Sequence, residues 1–258
     1  MRDLDAAGEV YRSLGFTVGA RNKHPWGTHN RIIQFDGTYI ELLTVGEPDK
    51  IEPHRLRWFS FGGFHRDFLA HEEGLDMLLL NSRDAKADAA AFGSAGIGDF
   101  EVFEFERQGQ RPDGSIVKLA FSLVFAADAH APRAGFGTCQ HYFPENFWNP
   151  EFQQHANGVK RIAGVVLVAD APSHHHDFLK AYTGADRVRE VGGGIAVDLP
   201  NATIELITPS AFIAGYGIEP PDTSRGARFA ALRFDGGGAQ TPSSQAVSGA
   251  VLLFQPNR

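Results

Sequence analysis

One feature limits the possible folds of this chain more than any other: the same order of secondary structure recurs along it. A strand, a helix and three further strands (a βαβββ unit) are predicted within residues 74–143, where an apolar strand precedes an Ala-rich helix. The same order returns within residues 161–208. Recurrence of this kind indicates a fold built from repeated units.

The first unit is incomplete at its start. Asp3 is a candidate N-cap for a helix, which leads to strand-like residues 16–18 and to a hairpin within residues 27–45. No strand pattern comes before this helix. We expect that the sequence omits residues ahead of Met1, and the alternative is that the strand has been lost.

A fourth unit is incomplete in its middle. Residues 228–234 and 248–254 have the pattern of a first and a last strand. Between them lies a Gly/Ser/Pro-rich stretch without a helical pattern. Omission of residues near 236–238 and genuine loss of the helix are the two explanations.

The repeat predicts the fold class. A βαβββ sheet has its helix on one face and is bare on the other, so units must pair to bury the bare faces. We predict an α+β protein of curved mixed sheets, whose first unit lacks its first strand and whose last unit lacks its helix. The predicted organisation is a domain over residues 1–143, an ordered connection over 144–160 and a domain over 161–258.

Composition excludes several classes of function. The net charge is −7, which argues against a nucleic-acid partner because phosphate binding needs a basic surface. No apolar run approaches the length of about 20 residues that spans a membrane, and no signal peptide is visible. The single cysteine, Cys139, favours a reduced, cytoplasmic compartment. No nucleotide-binding motif is present, so no nucleotide cofactor is expected.

The hairpin carries a carboxylate, Glu41, in an otherwise apolar strand. If Asp36-Gly37 forms a two-residue turn, then Ile32 opposes Glu41. Alternation then puts six side chains on one face, which we interpret as a cavity wall: Asn30, Ile32, Gln34, Tyr39, Glu41 and Leu43. A three-residue turn would instead bring His29 to the side of Glu41. The alternative role for Glu41 is a strand carboxylate paired with Arg or Lys.

A second group of candidates lies in the last strand of the second unit. His141 suits metal ligation and proton transfer near neutral pH. Alternation places Gln140 and His141 on opposite faces, so only one of them can point into a cavity. Glu205 repeats the position of Glu41 in the third unit, and we interpret it as part of the fold and not of the site.

Two stretches carry a resemblance to a known family. HPWGTHNRIIQFDGTYIELLTV (residues 24–45) and GTCQHYFPENFWNPEFQQHANG (residues 137–158) are similar to the glyoxalase-like branch of the vicinal oxygen chelate superfamily. The resemblance implies a divalent metal ion (Zn, Ni, Mn or Fe) in the cup, held by His, Gln or Glu from first and last strands. Met77 and Gly164 stand where histidine ligands would be, which departs from the pattern.

The resemblance also implies roles for the candidates. Glu41 and His141 would be metal ligands and catalytic residues, and Asn30, Gln140, His29 and Tyr39 would bind the substrate. The implied function is metal-assisted lyase, isomerase or dioxygenase chemistry on a small molecule with vicinal oxygens. The alternative is a protein that binds or sequesters a small molecule without chemistry. The chain could also form a homodimer.

Overall fold

A computed structural model describes residues 1–111, 114–237 and 247–255. Its α-helices are α1 (Leu4–Ser13), α2 (Phe61–Leu69), α3 (Ala85–Ser94), α4 (Pro144–Phe147), α5 (His176–Thr183) and α6 (Pro209–Tyr216). Its strands are β1 (Asn22–Lys23), β2 (Thr28–Phe35), β3 (Thr38–Val45), β4 (Met77–Ser82), β5 (Phe103–Gln110), β6 (Ile116–Ala126), β7 (Gly135–His141), β8 (Arg161–Val168), β9 (Arg189–Val191), β10 (Gly194–Asp198), β11 (Thr203–Ile207), β12 (Arg228–Asp235) and β13 (Val251–Gln255). Within this part of the chain, no helix combines the length and apolar character that crossing a bilayer requires.

The sheets confirm the α+β class and the repeat. In the second unit the strand order is β4-β7-β6-β5, with β4 parallel to β7. The third unit has the equivalent order β8-β11-β10-β9, with β8 parallel to β11. A helix follows the first strand in both units, α3 after β4 and α5 after β8.

The incomplete units are joined differently in the two halves. In the C-terminal half, β12 pairs antiparallel with β8 and β13 pairs parallel with β12, which makes one six-stranded sheet. In the N-terminal half, β1-β2-β3 and β4-β7-β6-β5 are separate sheets. The first unit thus consists of α1 and β1–β3. Residues 238–246, where the helix of the fourth unit would be, lie outside the described residues.

The predicted strand at residues 16–18 was wrong. The Phe16 amide donates to the carbonyl oxygen of Tyr11 at 3.1 Å, so this residue is bound to the last turn of α1. The Thr17 amide donates to His155 Nδ1 at 3.1 Å, so a side chain from the connecting segment takes the place of a neighbouring strand. The first strand of this unit is β1 instead.

Helix α2 has no counterpart in the sequence-based prediction. Two adjacent glycines near its start hide it, because glycine disfavours helices. Both glycines serve packing: a Cβ on Gly62 would lie 2.6 Å from Ile51 Cδ1, and one on Gly63 would lie 2.8 Å from Ser60 Oγ. Ser60 Oγ caps the helix by accepting from the Gly63 amide. Helix α6 was likewise not predicted.

The two halves share one hydrophobic core. It contains side chains of α1, the β2–β3 hairpin, β7 and the C-terminal sheet. The rings of Phe16, Phe35 and Phe234 contact one another, with centroids 5.5 to 6.0 Å apart. The connecting segment contacts the first unit, since Gln34 Nε2 donates to the Phe147 carbonyl oxygen at 2.7 Å. The domain boundaries stay a prediction.

A buried ionic network also joins the halves. Arg228, at the start of β12, has a side chain only 4% exposed, and its Nη2 lies 2.6 Å from Glu72 Oε2. Arg133 bonds the other oxygen of Glu72. One carboxylate therefore pairs with two guanidinium groups, and its loss removes the ion pair of both.

We predict that Glu72→Gln lowers the free energy of unfolding by about 3 kcal/mol, because breaking a buried ion pair leaves an uncompensated charge. Urea unfolding monitored by circular dichroism measures the change. Glu106→Gln is the control, since Glu106 forms a solvent-exposed ion pair with Lys118, and the two side chains are 68% and 56% exposed. The control should cost less than about 1 kcal/mol. Equal losses in the two variants would contradict the role given to Glu72.

Candidate active site

The β2–β3 hairpin sets the geometry of the site. Phe35 pairs with Thr38, Ile32 with Glu41 and Asn30 with Leu43. This is the register of a two-residue Asp36-Gly37 turn, so the three-residue alternative does not apply. Gly37, the second residue of the turn, has φ = 66°, a conformation that glycine adopts without steric cost.

The Glu41 carboxylate has neutral partners. Asn30 Nδ2 donates to Glu41 Oε1 at 2.6 Å, and Asn22 Nδ2 donates to Asn30 Oδ1 at 3.0 Å. His24 Nε2 lies 3.9 Å from the same oxygen of Glu41, and its Nδ1 bonds Thr28 Oγ1 at 2.8 Å. The Glu41 side chain is only 22% exposed. The Asn30 amide thus binds this carboxylate and the His24 imidazole lies beside it, while no Lys or Arg of the described residues forms a salt bridge with it.

Aromatic rings enclose the carboxylate in a small cavity, which we call the cup. Its volume is about 40 Å³. Trp26 is central to it: the ring stacks on His24 with centroids 4.6 Å apart and meets Phe105 edge-on at 4.8 Å. The cup is lined by His24, Trp26, Asn30, Ile32, Tyr39, Glu41, Phe61, Leu79, Phe105, Arg107, Phe121, Leu123, Cys139 and Phe147.

Arg107 brings a positive charge to the cup. It lies on β5 two residues after Phe105, on the same face of the strand. Its guanidinium donates to the Gln108 carbonyl oxygen at 3.3 Å. Burial lowers the pKa of Arg107, and the charge of Glu41 opposes that shift. The cup therefore contains a carboxylate and a guanidinium group that act on each other through space.

Burial controls the protonation of the site. It raises the pKa of Glu41 above its ordinary value, although the Asn30 hydrogen bond and the charges of His65 and Arg107 oppose the shift. Burial lowers the pKa of His24 to about 3 and that of His141 to about 4. Both imidazoles are thus neutral at pH 7. Burial also raises the pKa of the Cys139 thiol to about 12, so it stays protonated.

A larger cavity of about 280 Å³ adjoins the cup, and we call it the β3–β4 slot. Its walls include Tyr39–Leu43 on β3 and Leu75–Asn81 around β4. Glu41, Tyr39 and Cys139 border both cavities. The slot therefore gives a second approach to the Glu41 carboxylate.

His141 and Gln140 point in opposite directions. His141 borders the β3–β4 slot, and its ring packs on Phe121 and Phe147 with centroids 4.8 Å from each. Its Nδ1 is buried without a hydrogen-bond partner in the described part of the chain. Gln140 faces α3, where its Oε1 accepts from the Ala85 amide at 2.9 Å. Gln140 thus lies away from Glu41, on the other side of the sheet.

His29 also lies away from Glu41. Arg21 Nε donates to His29 Nδ1 at 3.2 Å, and His29 Nε2 lies 3.3 Å from Glu47 Oε2. Tyr39, in contrast, lines the cup together with Cys139. The structure therefore brings Asn30, Tyr39 and Glu41 together, places His141 on the adjoining slot, and keeps His29 and Gln140 outside.

The ligand set for a metal ion is incomplete. Glu41 and His24 could reach one ion, since two bonds of about 2.1 Å span the observed 3.9 Å. In the part of the chain that the structure describes, no third His, Cys, Asp or Glu joins them. The residues present do not fit the three-ligand site that the resemblance implies.

Sequence reasoning missed two residues of the cup, His24 and Arg107. His24 opens the motif of residues 24–45, but nothing local in the sequence shows that the backbone after β1 brings it close to Glu41. Arg107 did carry a signal: in FEVFEFERQG, residues 103 and 105 are aromatic and 107 shares their face. A charge on the apolar face of a strand marks a cavity or a buried partner.

Comparison with known proteins decides the family. The family model described as a glyoxalase-like domain matches residues 1–183. The chain belongs to this family. A crystal structure of a hypothetical protein from Staphylococcus aureus shares the fold, with a TM-score of 0.71 at 16% identity, over 99% of this chain and 96% of that one. No curated protein matches the chain. The membership confirms the resemblance seen in the sequence and does not name a substrate.

Glu41 and Glu205 offer a matched test of the site. Glu205 occupies the equivalent position on β11, but its Oε1 accepts from Arg233 Nη1 at 2.8 Å. The third unit therefore has the salt bridge that the first unit lacks.

We predict that Glu41→Gln raises the melting temperature at pH 8 and changes it much less at pH 4.5. A carboxyl with a raised folded-state pKa stabilises the fold when protonated, and that contribution is lost as the pH rises through this pKa. Glu205→Gln, which removes the partner of Arg233, should destabilise at both pH values, by about 1–3 kcal/mol. Calorimetry at the two pH values checks both variants. A lower melting temperature for Glu41→Gln at pH 8 would contradict the prediction.

Proposed function

We propose that the cup binds a small molecule with two adjacent oxygen atoms and that Glu41 transfers a proton from or to it. The observation that supports this is the desolvated carboxylate of Glu41, which pairs with no Lys or Arg in the part of the chain that the structure describes. A carboxylate with a raised pKa is a stronger base than an ordinary one and works closer to neutral pH.

The neighbours of Glu41 suit this role. The Asn30 amide holds one carboxylate oxygen in place, so the other oxygen can accept the proton. Arg107 supplies positive charge to the same cavity, which favours the anion that remains when a carbon or hydroxyl next to a carbonyl loses a proton. Trp26 Nε1–H has no hydrogen-bond partner within the described residues and is available to an oxygen of the bound molecule.

The size of the cup limits the substrate. A volume of about 40 Å³ corresponds to roughly three water-sized spheres. The reacting part of the substrate is therefore small, and a larger substrate must extend into the β3–β4 slot. The aromatic walls exclude water and strengthen the electrostatic effects inside.

A metal ion stays a prediction from the resemblance. The resemblance gives Glu41 and His141 as its ligands, and His141 borders the adjoining slot and not the cup. The proposed proton transfer does not use a metal ion. Metal titration of the purified protein is therefore part of the test below.

The second candidate function is binding without chemistry. The mostly aromatic lining and the incomplete ligand set favour it. The two functions differ in one respect, since only proton transfer needs Glu41 as a base. A protein that only binds the molecule should keep its affinity when Gln replaces Glu41.

We expect the protein to exchange solvent deuterium into small α-hydroxy ketones and 1,2-dicarbonyls, measured by proton NMR. Glu41→Gln should slow this exchange by at least about 100-fold, the usual contribution of a general base. Glu205→Gln is the control and should retain the rate.

Each run is repeated after dialysis against a chelator and after addition of Zn²⁺, Ni²⁺, Mn²⁺ or Fe²⁺. Deuterium exchange that occurs only with an added ion would show that the reaction requires a metal ion. Binding of the probes without exchange, equal in the parent and in Glu41→Gln, would support the binder instead.

Arg107→Met tests the anion-binding role. We expect binding of a carboxylate or enolate analogue to weaken by about 10- to 100-fold, because a hydrogen bond to a charged group contributes about 1.5–3 kcal/mol. Trp26 lines the cup, so tryptophan fluorescence follows the titration. Arg111→Met is the control, since Arg111 is exposed and bonds Asn146 at 2.7 Å. Equal affinity in both variants would exclude a role for Arg107 in binding.

A further inference from the structure

A histidine on helix α2 is buried beside the site and has a partner for only one of its ring nitrogens. His65 Nδ1 lies 2.6 Å from Asp76 Oδ2, and the His65 side chain is only 5% exposed. Its Nε2 is also buried and has no hydrogen-bond partner within the described residues. An ionised carboxylate can only accept a hydrogen bond, so Nδ1 carries the proton and Nε2 of the neutral ring is an acceptor. Buried polar atoms are rarely unpaired in native proteins, so this nitrogen is a candidate contact for a bound molecule.

Aromatic packing fixes the His65 ring next to the cup. Phe61 meets the ring edge-on with centroids 4.4 Å apart, and Phe64 does so at 5.6 Å. Phe61 lines both the cup and the β3–β4 slot, and His65 borders the slot together with Glu41. Burial raises the pKa of Glu41 and a charge on His65 opposes that shift, so the two groups interact through space. A molecule that contacts Glu41 and extends into the slot thus has His65 in its wall.

The other histidine of the slot, His141, is less suited to carry a proton. Its Nδ1 is buried without a partner as well, in the part of the chain that the structure describes. Burial lowers the pKa of His141 to about 4, so this ring holds a proton poorly at neutral pH. His65 differs because the Asp76 carboxylate stabilises its ring when Nε2 takes up a proton.

We propose that His65 is a second proton-transferring residue, which moves a hydroxyl proton of the substrate while Glu41 moves a carbon-bound one. The inference rests on the proposed function and narrows its substrate to α-hydroxy aldehydes and α-hydroxy ketones. A 1,2-dicarbonyl has two vicinal oxygens but no hydroxyl proton that His65 could accept. Asp76 is a positioning residue, since it acts through His65 by fixing the ring and stabilising the imidazolium form.

The two residues together support an isomerisation, which 2-hydroxypropanal illustrates. Glu41 removes the proton on C2, the C–H electron pair forms a C1=C2 double bond, and the carbonyl electron pair moves to O1. His65 Nε2 takes the proton of the C2 hydroxyl and delivers it to O1. The electron pair left on O2 then forms the new carbonyl as C1 takes the proton back from Glu41. The product is hydroxypropanone, so C2 is oxidised and C1 is reduced within one molecule and no other reactant is consumed.

The test compares two rates in D₂O, measured by proton NMR for the parent protein and for His65→Gln. One is deuterium exchange at the methyl groups of butane-2,3-dione, which needs only a base. The other is the conversion of 2-hydroxypropanal to hydroxypropanone. His175→Gln is the matched control, since His175 Nδ1 also pairs with a buried carboxylate, that of Asp128 at 2.5 Å, but lies outside both cavities.

We expect His65→Gln to slow the isomerisation by at least about 100-fold, the usual contribution of a general acid or base, and to leave exchange into butane-2,3-dione unchanged. A folding defect would lower both rates together, so only a change in the chemistry separates them. Asp76→Asn, which keeps the size of the side chain, is the second variant. It should lower kcat for the isomerisation by at least about 10-fold with KM unchanged, because a neutral amide does not stabilise the imidazolium. His175→Gln should retain both rates.

Other results would overturn the proposal, and they differ from a failure of the proposed function. Isomerisation at the parent rate in His65→Gln would exclude His65 from the reaction, and equal loss of both rates would leave it a structural role only. A parent protein that exchanges butane-2,3-dione but does not isomerise 2-hydroxypropanal would show that Glu41 acts without a second residue. A parent protein that exchanges neither compound would overturn the proposed function itself, and this inference with it.

Discussion

The burial of one carboxylate, that of Glu41, is the constraint on which the site depends. The two-residue turn fixes the register of the hairpin, and the register places Glu41 and Asn30 on the same face as Tyr39. A buried carboxylate is costly unless polar groups bind it. Asn30 supplies the hydrogen bond, His24 contacts Asn30 in turn, and Arg107 balances the charge at longer range. The aromatic rings of the cup then limit the access of water to the carboxylate.

The comparison of Glu41 with Glu205 shows how one fold element takes two roles. Both stand in the last strand of their unit, within the similar sequences YIELL and TIELI. Arg233 satisfies Glu205 by a direct ion pair, which suits a structural role. Among the described residues, no Lys or Arg pairs with the ionised form of Glu41, and this difference in partners is why Glu41 and not Glu205 is the candidate for chemistry.

Most of the fold could be predicted because its signals are local. Alternation, the Asp-Gly turn and the recurring unit predicted the hairpin and the strands of the second and third units. The site was harder, because His24 and Arg107 reach Glu41 only through the packing of separate elements. The alternation of side chains along the strand correctly placed Gln140 and His141 on opposite faces, but it could not show which of them faces the cavity. Helix α2 was hidden by glycines that serve packing against residues distant in sequence.

The lone thiol of the chain lies against the same cup, and its reactivity follows from that position. Oxidants and alkylating agents attack the thiolate, and a thiol with a pKa of about 12 has almost none at neutral pH. Cys139 is also buried, with 5% of its surface exposed. Peroxide and iodoacetamide should therefore spare it while the protein is folded. Modification of Cys139 then reports opening of the sheet around the cup and not ordinary oxidative damage.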